Sequence, residues 1–92
     1  MMSQIPSKIT DNNRDKQILR AGMIAELDAI NLYEQMSDFS SNETMKNVIL
    51  DIAKEEKTHA GEFLYLLKEL DKQQAMEYEK AVAEVMRLKK VI

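Results

Sequence analysis

Cysteine and tryptophan are both missing from these 92 residues, and there is a single proline, Pro6. Without cysteine the chain forms no disulfide, no thiolate zinc site and no iron–sulfur cluster, a composition compatible with the cytosol. Basic residues do not dominate either. The net charge is −3, and lysine and arginine are scattered among acids, so nucleic acid has no footprint to bind. No apolar run approaches the roughly 20 residues of a membrane span, and the polar N-terminus is not a signal peptide. Size is also short: a chain of this length makes one small domain that buries only about 60–65% of its unfolded surface. Two long helices and a short third cannot enclose a core alone, which leads us to expect an oligomer.

What the sequence does contain is helical periodicity. Residues 1–10 carry Pro6 and little pattern and read as a flexible arm ahead of a helical domain over 11–92. A first helix is expected over about 11–37, with Leu19, Met23, Ile30 and Tyr33 at helical spacing, no proline and few β-branched residues. Ser37-Asp38-Phe39-Ser40-Ser41-Asn42 is a turn cluster, and Ser40 followed by Glu43 fits a capping box, placing a second helix at about 41–70. Its stripe runs Met45, Ile49, Ile52, Glu56, His59, Phe63, Leu66 and Leu70, in steps of three and four. Asp71 to Gln74 reads as a break with a fresh cap. A third, shorter amphipathic helix over about 73–90 carries Ala75, Tyr78, Val82, Val85, Met86 and Leu88. The short first connection forces an antiparallel hairpin. The expected fold is therefore all-α, an antiparallel two-helix hairpin plus a short C-terminal helix.

Two residues of the second stripe do not belong on an apolar seam. Glu56 and His59, the only histidine, are three apart and project from one helical face, so both can reach one ion. Glu26 breaks the first stripe in the same way. Facing residues of a hairpin keep a roughly constant index sum, which puts Glu26 level with Glu56 and within one turn of His59. A charge on a seam is costly unless compensated, and a cation is the obvious compensation. One chain offers three or four donor atoms, too few to saturate an iron. Two symmetry-related copies offer four carboxylates and two imidazoles, enough for two metals roughly 3.5–4 Å apart. Carboxylate with imidazole suits Fe, Mn or Zn. Small residues near the seam (Gly22, Ala25, Ala29, Ala60, Gly61) would let the helices approach as short ligands require. Tyr33, two turns from Glu26, is either a core tyrosine or a donor of hydrogen bonds or electrons to the site. Asp28, Glu34, Glu55 and Glu62 read as solvated charge flanking the seam, and the methionines as core filler.

The stretches Ala25-Glu26-Leu27-Asp28-Ala29-Ile30-Asn31-Leu32-Tyr33-Glu34-Gln35-Met36 and Asp51-Ile52-Ala53-Lys54-Glu55-Glu56-Lys57-Thr58-His59-Ala60-Gly61-Glu62-Phe63 resemble the two helix signatures of the encapsulated ferritins. These are ferritin-like proteins held inside encapsulin shells. The likeness spans roughly 15–70 and is greatest to the ferritin-like domain that some archaea fuse to the shell protein. It implies a half-ferritin whose homodimer rebuilds a ferritin-like four-helix bundle around a di-iron ferroxidase centre, with dimers associating into a ring, typically a decamer. Glu26, Glu56 and His59 match the family's iron ligands, and Tyr33 its nearby tyrosine. The implied activity is ferroxidase: Fe(II) is oxidised by dioxygen or peroxide, and mineral is stored in the encapsulin nanocompartment, in the cytoplasm. The implied metal is iron, two ions per dimer, with Zn, Mn or Ca as possible substitutes.

The sequence departs from that pattern in two places. Ala25 and Asp28 stand where some members carry acids just outside the site, and Leu32 where some carry an aromatic, which argues against a second cation site. The chain closes on Leu88-Lys89-Lys90-Val91-Ile92 with no evident targeting tail, so a continuation into a shell domain, a trimmed tail or another targeting route is expected. Two other readings compete. A rubrerythrin-like peroxide reductase usually draws electrons through thiolate-bound iron, which this chain cannot build. A helical assembly module stabilised by metal would need no turnover at all.

Overall fold

In a computed structural model, which describes residues 11–90, three helices follow one another: α1 (Asp11–Phe39), α2 (Glu43–Leu70) and α3 (Lys72–Lys89). The arm expected over residues 1–10 lies outside the described residues. α1 and α2 pack as an antiparallel hairpin, and α3 touches only the end of α2.

The hairpin turn corrects one expectation. α2 begins at Glu43, and its cap is Asn42, whose side chain accepts from the Met45 amide at 3.0 Å. Ser40 is committed elsewhere: its hydroxyl accepts from the Asn42 amide at 3.1 Å, and its own amide reaches back to the last carbonyls of α1. Asparagine and serine cap comparably well, so the extended backbone at residue 42 decides between them. Just before the turn, buried Ser37 donates its hydroxyl to the Lys46 carbonyl at 3.3 Å and ties the two helices together.

A single extended residue, Asp71, separates α2 from α3, and the sequence-based cap at this position holds. Its amide closes α2 on the Leu67 carbonyl at 2.8 Å. One carboxylate oxygen caps α3 by accepting from the Gln74 amide at 3.0 Å, and the other accepts from Arg20 of α1 at 2.8 Å. The Gln74 amide foremost, then Lys16 and Arg20, hold the Asp71 carboxyl below its ordinary value of 3.8 despite partial desolvation. A depressed folded pKa makes this stabilisation complete at neutral pH and removes it as pH falls below 3.8. Asp71→Asn keeps the cap and loses the charge, whereas Asp71→Ala loses both. Thermal melts followed by circular dichroism at pH 7 should rank parent above Asn above Ala, with the Asn deficit vanishing in strong acid.

Past this elbow α3 points away from the hairpin, with Lys68 lying 4.4 Å from the Tyr78 ring centre as its one aromatic brace. The radius of gyration is 16.9 Å, against about 12 Å for a compact chain of this length. Among the described residues only Ile30, Ala53 and Leu67 are buried hydrophobics. So open a chain has most of its apolar surface uncovered.

Part of that surface forms a band along one flank of the hairpin. Ile18, Ala25, Leu32 and Phe39 recur at intervals of seven along α1, as do Met45, Ile52, His59 and Leu66 along α2, and such a step keeps side chains in one row. The rows border common grooves, Ile18 with Leu66 at one end and Leu32, Met36 and Phe39 with Met45 at the other. Phe39 is 89% exposed. The opposite flank carries the ion pairs Arg20–Asp71 and Lys57–Glu34, at 2.8 and 3.4 Å, and beside Arg20 a second apolar groove of Met23, Ile24, Leu27, Leu64 and Leu67 at the root of α3. Apolar surface thus lies open on both sides of the hairpin, one side crossed by the ion pairs and the other with His59 in it.

Of the two glycines expected to allow close approach, one does so. A Cβ at Gly22 would lie 2.7 Å from the Phe63 ring, whereas Gly61 has nothing within 4 Å within this chain. Within one chain Gly61 faces open space and sets no spacing between α1 and α2.

Candidate metal centre

Glu26 reaches the site from the middle of α1, and Glu56 and His59 from the middle of α2, one turn apart on the same helix. Their donor atoms all lie within 4.8 Å of one another, and this is the one such group of three among the described residues. His59 Nδ1 sits 3.6 Å from Glu26 Oε2 and 3.7 Å from Glu56 Oε2. Both distances exceed a hydrogen bond. They suit donors that share a cation, since two ligand atoms each about 2.0–2.2 Å from one ion stand up to roughly 4 Å apart.

Burial sharpens the case. The two carboxylates are each 20% exposed and the imidazole 46%. Glu26 Oε2 is fully shielded from solvent and has no hydrogen-bond partner. A carboxylate oxygen in that position carries a desolvation cost that no hydrogen bond inside this chain offsets. The residues therefore fit a cation: two hard oxygens and a borderline nitrogen converge, and one oxygen lacks any other partner. The half-exposed imidazole edge opens onto a groove lined by Glu26, His59, Phe63 and Leu66, on the apolar flank.

Tyr33 is half-buried on the same α1 stripe as Glu26, seven residues on, about 10 Å along the axis. It lies outside the groove that Glu26 and His59 share. Lys57, beside Glu56 in sequence, turns to the other flank and pairs with Glu34, so neither competes for the cluster. Sequence reasoning missed this pair and the Arg20–Asp71 pair, because long side chains join positions well outside the facing register that brings Glu26 level with Glu56.

Comparison with known proteins bears on this geometry. A family profile described as Rubrerythrin matches residues 17–92. A ferritin-like-encapsulin shell fusion protein of Pyrococcus furiosus is 47% identical over 96% of this chain and 27% of its own length. An encapsulin nanocompartment cargo protein of Myxococcus xanthus is 40% identical over 87% of this chain and 61% of its own. The chain thus spans about a quarter and about three-fifths of these relatives. The crystal structure of an encapsulated ferritin domain from Pyrococcus furiosus superposes with a TM-score of 0.84 at 46% identity, covering 90% of this chain and 85% of that one.

Proposed function

Because the chain belongs to the rubrerythrin family, and within it to the encapsulated ferritins, we propose that it is a ferroxidase acting on Fe(II) across a homodimer interface. The observation that carries this reading is the solvent-shielded, partnerless oxygen of Glu26 beside Glu56 and His59. One chain leaves the cluster short of ligands, and the apolar flank around His59 is the surface a second copy would cover. Two copies bring four carboxylates and two imidazoles to a pair of ions.

In this reading Glu26, Glu56 and His59 hold the iron, which is the substrate. Tyr33, half-buried on the same stripe, donates a hydrogen bond to a ligand or passes electrons from the iron. Two Fe(II) become Fe(III) by giving up two electrons. Dioxygen takes both, with two protons, and leaves as hydrogen peroxide; if peroxide is the oxidant, it leaves as two waters. The side chains contribute negative charge and a shielded pocket, which favour the higher oxidation state through hard oxygen ligands. Iron is the cofactor-like occupant we assign, and Zn, Mn or Ca would fill the same donors without turnover.

The relatives' association with encapsulins supports an encapsulin shell as partner and the interior of a nanocompartment as location. An open helical assembly has no cavity in which mineral could grow, so a container is chemically required. No helix among the described residues is long and apolar enough to cross a membrane.

Anaerobic titration with Fe(II), followed by oxygen, tests the proposal. We expect about one ion bound per chain and two per dimer, then oxidation faster than in buffer, read by absorbance and native mass. Stoichiometric binding with a raised melting temperature but no oxygen consumption would instead identify a static, metal-stabilised module.

A further inference from the structure

Gly22 lies one turn before Glu26 on α1, and Phe63 one turn after His59 on α2. In an antiparallel hairpin these two steps run in the same direction, so the Gly22–Phe63 contact is the next layer beside the Glu26–His59 contact. It is also a tight one. A methyl group at residue 22 would come within 2.7 Å of both Phe63 Cε1 and Cζ and 3.1 Å of Cδ1. The ring is half-buried, and it also lines the groove that Glu26 and His59 share.

We propose that the Phe63 ring seated on Gly22 is a positioning device that sets the separation of α1 and α2 for Glu26, Glu56 and His59. The inference rests on the metal-binding reading above, and it turns the close approach expected at Gly22 into a specific contact with Phe63. The physical argument is about range. Ligand atoms from two different helices converge on one ion only if the helix axes are held at a fixed distance, and a displacement of a few tenths of an ångström is felt at the metal. A ring seated against bare backbone holds that distance, because the only side-chain freedom at the contact is rotation of the Phe63 ring. Added bulk at residue 22 has two outlets. It separates the helices, which pulls Glu26 away from the two α2 donors, or it turns the ring into the groove beside Glu26 and His59. Both outlets reach the cluster. Neither requires loss of helix, since alanine is a better helix former than glycine.

The test is a double-mutant cycle read by Co(II) binding, with Co(II) as the sole added metal under anaerobic conditions. Gly22→Ala should weaken Co(II) binding by roughly 10- to 100-fold, the range typical of residues that orient ligands. It should also alter the visible absorption spectrum at saturating Co(II), which a mere loss of protein stability would leave unchanged. Phe63→Leu removes the ring without adding bulk and should cost about 3-fold, a residual effect of lost spacing. In that background Gly22→Ala should cost little, because the clash is gone. Unchanged affinity and spectrum in Gly22→Ala would overturn the inference. An equal cost of Gly22→Ala with and without the ring would overturn it too. Glu56→Ala combined with His59→Ala separates the two levels of argument: if that variant still binds Co(II) as the parent does, the site assignment itself fails, whatever Gly22 does.

Discussion

Glu56→Ala combined with His59→Ala is expected to reduce iron oxidation to the rate in buffer alone. Each chain would lose two of the three donors that converge at the cluster, and Glu26 by itself offers at most one bidentate carboxylate. The fold should survive. His59 is half-exposed, the ion pair of Glu56 is with His59 itself, and alanine is favoured inside a helix over both residues. Removing one carboxylate from a partly dry seam also relieves a desolvation cost. The metal-free variant should therefore melt at or slightly above the temperature of metal-free parent, while metal raises the melting point of the parent alone. Stopped-flow absorbance with Fe(II) and oxygen, beside thermal melts with and without metal, reads both halves. Oxidation at the parental rate would place the iron chemistry elsewhere in the molecule.

Chelation should weaken the dimer by a comparable factor. When the site is empty, the carboxylates of two copies face one another across a poorly solvated interface. A like-charge pair about 5 Å apart costs on the order of 3 kcal/mol at an effective dielectric of 20. The apolar flank works in the other direction, since each large side chain covered there contributes roughly 1.5–3 kcal/mol when burial is complete. Several such side chains outweigh one charge pair, but association itself costs about 4–15 kcal/mol, so occupancy tips the balance. A metal held only by the dimer and present at about a hundred times its dissociation constant adds about 2.7 kcal/mol per site, or roughly a hundredfold in the association constant. Sedimentation of chelated and metal-loaded protein at the same concentration measures this. Identical distributions would show that the apolar flank suffices and that metal and assembly are not linked.

Much of this architecture could be read from the residues. The two long helices followed from apolar spacing, and the break at Asp71 from an acid three residues ahead of Gln74, which the structure bears out. The level of Glu26 with Glu56 and His59 followed from the turn length, and the three do converge. The start of α2 did not follow, because Ser40, Ser41 and Asn42 are all competent caps and the choice lies in backbone angles that composition does not encode. The two glycines looked alike as well. Only the packed helices distinguish Gly22, covered by a ring, from Gly61, which has open space around it.

By itself, the sequence determined the helices, their antiparallel pairing and which donors could meet, because these depend on period and connection length, both properties of the chain read in order. The tertiary structure alone decided that Glu26 has an oxygen with no partner, that His59 opens on the apolar side while the ion pairs line the other, and that α3 swings clear of the hairpin. Those are consequences of how the helices rotate about their axes and of two torsion angles at Asp71. Such quantities are fixed by the sum of many small contacts across space, not by any local run of residues.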